Sequence, residues 1–371
     1  MTGIDIAVIV VYLIGTTLFG CSFFFRRKKG AGDDARTFMT GGGTLPTWAI
    51  ALSVFATHVS SISFLALPEG AYGPDCWRGW VNSITVPIAT FVAAIWFIPF
   101  YRKSTDVSAY SFLERRYGVW ARIYSSLCFL AMQSARSGVI LLLLAILVNQ
   151  LMGISCETII VVTGVLTMLY AMMGGFAAVV WADAIQSIIL IGGTLVCVVC
   201  LLFFTPDLAV NAKVAWDAGK MSLGSFSLSD WSTNTFWVLF FYSICINLQN
   251  FGVDQCYTQR YVAAKSAKAA AKSIFASACI YVPVTLLFTI IGTLLWMYNR
   301  ANPGEIPDGI RAAAVFPWFI VNRLPTGVSG LLVSAIIAAA MSTIAATLNS
   351  GSTVLLEDYW KRFAPQRANE R

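Results

Sequence analysis

Charge is scarce in this chain. Only 12% of its 371 residues are Asp, Glu, Lys or Arg, against about 25% in soluble globular domains. That is too little to cover a water-exposed surface of this size. There is a single histidine, His58, and the nine cysteines show no zinc-type spacing, so a His-based metal or catalytic cluster is not expected. No nucleophile–base pair is visible either, which argues against an enzyme. The N-terminus has no basic segment and no small-residue cleavage site, so its first apolar run reads as a retained span and not as a signal peptide. The cysteines mostly sit inside apolar runs, as small hydrophobes. Cys76 and Cys156 fall in expected external loops, and their spacing does not establish a disulfide.

What the chain has is hydrocarbon. It is 58% hydrophobic, with a mean hydropathy of +0.73. Apolar runs near the roughly 20 residues needed to span a bilayer recur along it. They cover residues 4–25, 47–72, 80–101, 123–151, 158–173, 177–204, 235–251, 274–298 and 327–356. The fifth run stops at Gly174-Gly175. The net charge of +7 does not point to nucleic acid, because the basic residues lie in short loops between apolar runs. That is the positive-inside bias. Arg26 to Lys29, Arg102, Lys103, Lys265, Lys268, Lys272, Lys361 and Arg362 then mark the cytoplasmic side. The alternation closes without contradiction over about nine spans with the N-terminus outside. Residues 205–234 and 299–325 become external loops, and 364–371 a polar, mobile cytoplasmic tail. The apolar stretch 312–321 is too short to span and suggests a re-entrant or interfacial helix. The expectation is one all-α, polytopic membrane domain over residues 1–371.

Two segments carry dense polarity at mid-membrane. One is Ser53-Val54-Phe55-Ala56-Thr57-His58-Val59-Ser60-Ser61-Ile62-Ser63. The other is Ala338-Ala339-Ala340-Met341-Ser342-Thr343-Ile344-Ala345-Ala346-Thr347-Leu348-Asn349-Ser350. Close helix packing through small residues accounts for part of this. A broken helix accounts for the rest, because unwound backbone frees carbonyl oxygens that suit hard cations such as sodium. Carbonyls of Ala56, Val59 and Ala339 with hydroxyls of Ser342 and Thr343 would form a neutral oxygen cage. From the residues alone the two readings stand even. Arg136, within Met132-Gln133-Ser134-Ala135-Arg136-Ser137-Gly138, is a charge at membrane depth, which implies a function or an internal partner.

Motifs along the whole chain carry a family resemblance. They are Ser53-Val54-Phe55-Ala56-Thr57 with Ser60-Ser61, Trp181-Ala182-Asp183-Ala184-Ile185-Gln186, Asp254-Gln255 followed by Gln259-Arg260-Tyr261, and residues 338–349. The chain resembles the sodium/solute symporter family, which includes sodium–glucose cotransporters and bacterial sialic acid symporters, and is closest to the sialic acid branch. The resemblance implies a leucine-transporter-type inverted repeat behind an extra leading helix, in the bacterial inner membrane. The run 47–72 would be the broken first helix of repeat one, and the seventh run would open repeat two. It implies sodium as the coupling ion, held by Ala56, Val59, Ala339, Ser342 and Thr343. The second sodium site of the sialic acid branch uses an Asp and late-helix hydroxyls. Asp183 is present, but Ala345 and Ala346 stand at the hydroxyl positions and methyl groups cannot ligate sodium. One sodium per substrate follows, with Asp183 either a residual cation ligand or a structural carboxylate.

For the substrate, the resemblance implies that Arg136 pairs with a carboxylate through its bidentate fork, as in a sialic acid or another organic anion. Ser60, Ser63, Asn82 and Gln133 would line the pocket. Asp254 and Gln255 would stand where the family has substrate or inner-gate groups. His58 departs from the branch, which has a hydroxyl there. It either shapes the pocket or is a satisfied packing histidine. Asp75 and Arg78 sit just outside this helix, where they line the outer vestibule or are simply solvated. The resemblance also implies two five-helix repeats, of which this chain supplies five spans and then three, so repeat two reads as incomplete. A neutral hexose or polyol is the alternative substrate, and a symporter-like membrane sensor the alternative function. The partners expected are a small solute, sodium and the lipid bilayer.

Overall fold

The structure, a computed structural model, describes residues 1–26, 35–103, 106–231 and 235–363. Residues 27–29 of the first basic cluster and the tail at 364–371 lie outside the described residues.

A backbone in hydrocarbon must satisfy its own N–H and C=O groups, and the apolar runs do so as helices. They are α1 (Gly3–Arg26), α2 (Thr47–His58), α3 (Ser61–Tyr72), α4 (Arg78–Lys103), α5 (Val119–Met152), α6 (Cys156–Phe204), α7 (Phe236–Val253), α8 (Gln255–Ala263), α9 (Ala267–Ala301), α10 (Ala312–Asn322) and α11 (Val328–Phe363). No strand occurs among the described residues, only an isolated bridge between Leu45 and Ala264. The nine cysteines are free thiols. Helix ends carry the expected caps. The hydroxyls of Ser155, Thr235 and Ser266 accept the N–H of Thr158, Val238 and Ala269. Gly153, in the left-handed region at φ 71°, closes α5.

Seven helices are long and apolar enough to cross a membrane, and the α2/α3 pair, bent by 59°, is an eighth candidate. With 49 residues, α6 would run about 74 Å if straight, far beyond a hydrocarbon core of about 30 Å. It changes direction at Gly175 (φ 63°, ψ −163°). A side chain there would meet the Phe38 ring at 2.7 Å. The two halves of α6 match the fifth and sixth apolar runs, so nine span-like segments are present. The stretch at 312–321 is the 11-residue α10, which lies against α3 with Phe316 beside Phe64.

The seventh apolar run, 235–251, reads as ending before Asp254. Instead the seventh run is interrupted at Asp254, in extended conformation (φ −76°, ψ 125°), and resumes as α8, nearly all of which is buried. The molecule therefore has two broken spans, α2/α3 and α7/α8. Small residues explain how tightly the helices meet. α11 is enclosed by α1, α5 and α6, and a Cβ on Gly330 would lie 2.6 Å from the Asp5 carbonyl oxygen. The Asp5 carboxylate in turn accepts the N–H groups of Gly327 and Gly330, at 2.7 and 3.2 Å, at the start of α11.

α9 packs on α3 backbone to backbone. A Cβ on Gly292 would fall 2.2 Å from the Pro68 carbonyl oxygen and 2.7 Å from Ala71 Cβ. Gly292→Val should destabilise the detergent-purified protein by about 1–3 kcal/mol, seen as a lower thermal unfolding midpoint. Gly192→Ala, where no atom lies within 4 Å of the new Cβ, should leave the midpoint unchanged.

Candidate functional site

The first break is written into its side chains. Hydroxyls compete with the backbone for hydrogen bonds, and five polar residues crowd residues 57–63. The α2 ladder ends with Val59 N–H donating to the Phe55 carbonyl at 2.8 Å. Ser60 is extended (φ −102°, ψ 166°), and its hydroxyl accepts Ser63 N–H at 3.3 Å. Among the described residues no backbone N–H reaches the carbonyls of Ala56 or Val59. On α11, Thr343 Oγ1 donates to the Ala339 carbonyl at 3.0 Å and Ser342 Oγ donates to Asp183 Oδ1 at 2.6 Å. Each hydroxyl has one proton and two lone pairs. With the protons committed, the lone pairs stay available to a cation. Asp183 also accepts from Ser53 Oγ at 2.6 Å. One carboxylate thus holds α2, a turn before Ala56, against α11 at Ser342. The donor set is all oxygen and uncharged, which suits sodium.

The second break faces the first. The Asp254 carboxylate caps α8 by accepting Cys256 N–H at 2.7 Å, and it accepts Gln133 Nε2 from α5 at 3.2 Å. His58 Nδ1 lies 2.6 Å from the Tyr257 hydroxyl, and its ring stacks on Phe251 and meets Tyr281 edge-on. Asn82 joins α4 to α7 by accepting, at its side chain and carbonyl, the Asn247 amide at 3.0 and 3.2 Å. Arg136 is half-buried on α5, one turn beyond Gln133. It stands within electrostatic range of His58, Asp254 and Tyr257. Among the described residues it makes no hydrogen bond or ion pair. Gln255 turns away from this group: it accepts Ala109 N–H at 2.7 Å and donates to the Val107 carbonyl at 2.9 Å.

Comparison with known proteins gives this geometry a family. The sequence model of the sodium:solute symporter family matches residues 38–371. The chain belongs to the sodium:solute symporter family. It is 32% identical over 363 residues to the sodium/sialic acid symporter SiaT of Proteus mirabilis, covering 97% of this chain and 72% of that protein. It is 31% identical over 352 residues to the sodium/sialic acid symporter NanT of Aliivibrio fischeri, covering 94% and 68%. A solved sodium-coupled sialic acid symporter, in a substrate-bound outward-open state, superposes with a TM-score of 0.92 at 31% identity, covering 100% of this chain and 77% of that one. The inverted-repeat fold expected from the motifs is the fold found. Membership makes this chain a multi-pass membrane transporter and sodium its coupling ion.

Within this symporter two buried polar contacts were not foreseen, and the first is the salt bridge of Arg260 to Asp183. Arg260 Nη2 lies 3.0 Å from Asp183 Oδ2, with side-chain exposures of 1% and 0%. Its Nε donates to Ser53 Oγ at 2.9 Å. The signal lay in the sequence, since Arg260 follows an apolar run and belongs to a quoted motif. Its proximity to a basic loop masked it. Asn247, one of three amides on α7 with Gln249 and Asn250, was missed likewise. Removing one partner of a buried pair strands the other charge, at a cost of about 3–5 kcal/mol. Asp183→Asn and Arg260→Gln should each lower the thermal midpoint strongly. The double variant should lose clearly less than the sum of the two. Additive losses would disprove the coupling.

Proposed function

We propose that this symporter imports a small organic anion of the sialic acid class together with one sodium ion, by alternating access. The observation that carries the reading is Arg136: a half-buried guanidinium between the two broken spans, with no counterion among the described residues. A guanidinium in such a place is suited to a ligand carboxylate, which it grips through two parallel hydrogen bonds. The identities to two sodium/sialic acid symporters support the same class.

Sodium sits among the carbonyls of Ala56, Val59 and Ala339 and the hydroxyls of Ser342 and Thr343. It ties the interrupted span to α11 and favours the outward-facing arrangement. The substrate lies beside it, with Arg136 on its carboxylate. Ser60, Ser63, Asn82, Gln133 and His58 surround it. His58 acts by shape, because Tyr257 holds its Nδ1 and three aromatic rings enclose it. A single sodium follows from the methyl groups of Ala345 and Ala346. The basic residues around Arg102, Arg122 and Arg362 face the cytoplasm, which sets the N-terminus outside the inner membrane. On that side Arg122 pairs with Asp358 at 2.6 Å and with Glu114 at 2.9 Å, and Gln255 holds the segment at Val107 to Ala109, contacts that tie the segments at that end together.

Proteoliposomes with an inward sodium gradient test the reading. Labelled sialic acid should accumulate with one sodium per molecule. Arg136→Gln should reduce uptake about a hundredfold, the loss of a charged hydrogen-bonded pair. Thr343→Ala should raise the sodium concentration for half-maximal uptake about tenfold. Uptake of labelled glucose in place of sialic acid, uptake without sodium, or a stoichiometry of two would overturn the corresponding part.

A further inference from the structure

Two opposite charges stand near each other at the centre of this bundle, and neither is paired. Asp254 is 5% exposed, yet no cation lies within ion-pair distance of it among the described residues. Neutral donors hold its carboxylate: Cys256 N–H at 2.7 Å and Gln133 Nε2 at 3.2 and 3.4 Å. A buried carboxylate without a cation is costly, so the arrangement calls for a reason. Two cations act on it, Arg136 and Arg260; Arg260 is committed to Asp183, which leaves Arg136 as the candidate partner. It is three residues beyond Gln133 on α5, hence on the same face and about 4.5 Å further along the axis.

Direction matters here. α5 starts next to the basic segment Arg115-Arg116 and runs away from it. Asp254, bonded to Gln133, therefore lies about one helical turn nearer the basic end than Arg136. The carboxylate also borders a cavity of about 370 Å³ walled by Tyr110, Phe129, Met132 and Gln249, so side chains beside it have room to move. Gln133 itself has an unpartnered buried Oε1, which marks the junction as incompletely satisfied as it stands.

We propose that Asp254 is the release partner of Arg136. While substrate is bound, its carboxylate occupies the guanidinium and Asp254 rests on Gln133 and Cys256. As the site opens toward the basic end, Arg136 swings one turn toward that end, pairs with Asp254, and gives up the substrate anion. Asp254 is then a positioning residue that sets how tightly the anion is held. It lowers affinity in exchange for turnover. This rests on the anion reading of the site.

Asp254→Asn is the direct test, because asparagine keeps the α8 cap and removes the charge. Asp254→Ser is a second variant that also keeps a capping oxygen, should the first misfold. In saturating sodium, purified Asp254→Asn should bind sialic acid about tenfold more tightly than the parent by calorimetry, within the usual range of coupling between sites. In proteoliposomes its KM and kcat should fall together. A merely structural role would raise KM or leave it unchanged, and either result would overturn the proposal. A double-mutant cycle of Arg136→Gln and Asp254→Asn on thermal unfolding in sodium-free buffer, where the ion no longer favours the outward-facing arrangement, reads the pair without any substrate. A double variant milder than the sum of the single shifts supports the pairing. Additive shifts refute it. If the parent fails to bind sialic acid while the cycle is non-additive, the substrate assignment falls and the charge pair stands.

Discussion

A carboxylate in hydrocarbon survives only if donors compensate its lost hydration, and Asp183 takes donors from three other segments. Ser53 comes from α2, Ser342 from α11 and Arg260 from α8. Both broken spans and the late helix are therefore registered against one group on the second half of α6. The low dielectric that makes an unpaired charge so costly also makes this node strong. The bond from Ser342 to Asp183 fixes which way that hydroxyl presents its lone pairs. The oxygen cage proposed at the first break would thus be oriented by a residue that need not touch the ion.

Much of this architecture was legible because a bilayer imposes simple rules. The apolar runs coincide with helices among the described residues, and Gly174-Gly175 marked the change of direction that a 49-residue helix requires. The first break was readable too. Thr57, His58, Ser60, Ser61 and Ser63 offer alternative hydrogen bonds where a helix would otherwise continue. The second break was not. Asp254, Gln255, Gln259 and Arg260 look like residues returning to water, and composition cannot tell a solvated polar group from a buried one with partners. Those partners are remote in sequence: Ser53 and Asp183 for Arg260, Asn349 and Thr353 for Gln259. Only the fold supplies them.

The candidate pocket divides the same way. The proposed oxygen cage rests on residue types and the family resemblance. The surroundings of His58 did not, because Phe251, Tyr257 and Tyr281 come from three different helices. Asn82 and Gln133, expected to face substrate, already spend their polar atoms on Asn247 and Asp254. They meet a ligand only with the valences that remain. Arg136 is different: its whole donor fork is uncommitted among the described residues.

The contact at Gly292 has a mechanical meaning. Where α9 meets α3, main chain touches main chain at Pro68, with no side chain between to act as a bearing. Such a seam resists sliding and rolling, so α3 and α9 behave as a single lever. The pivot for that lever is the extended backbone at Val59 and Ser60. Sodium bound across that pivot would work as a brake on the joint, and its departure would free the arm.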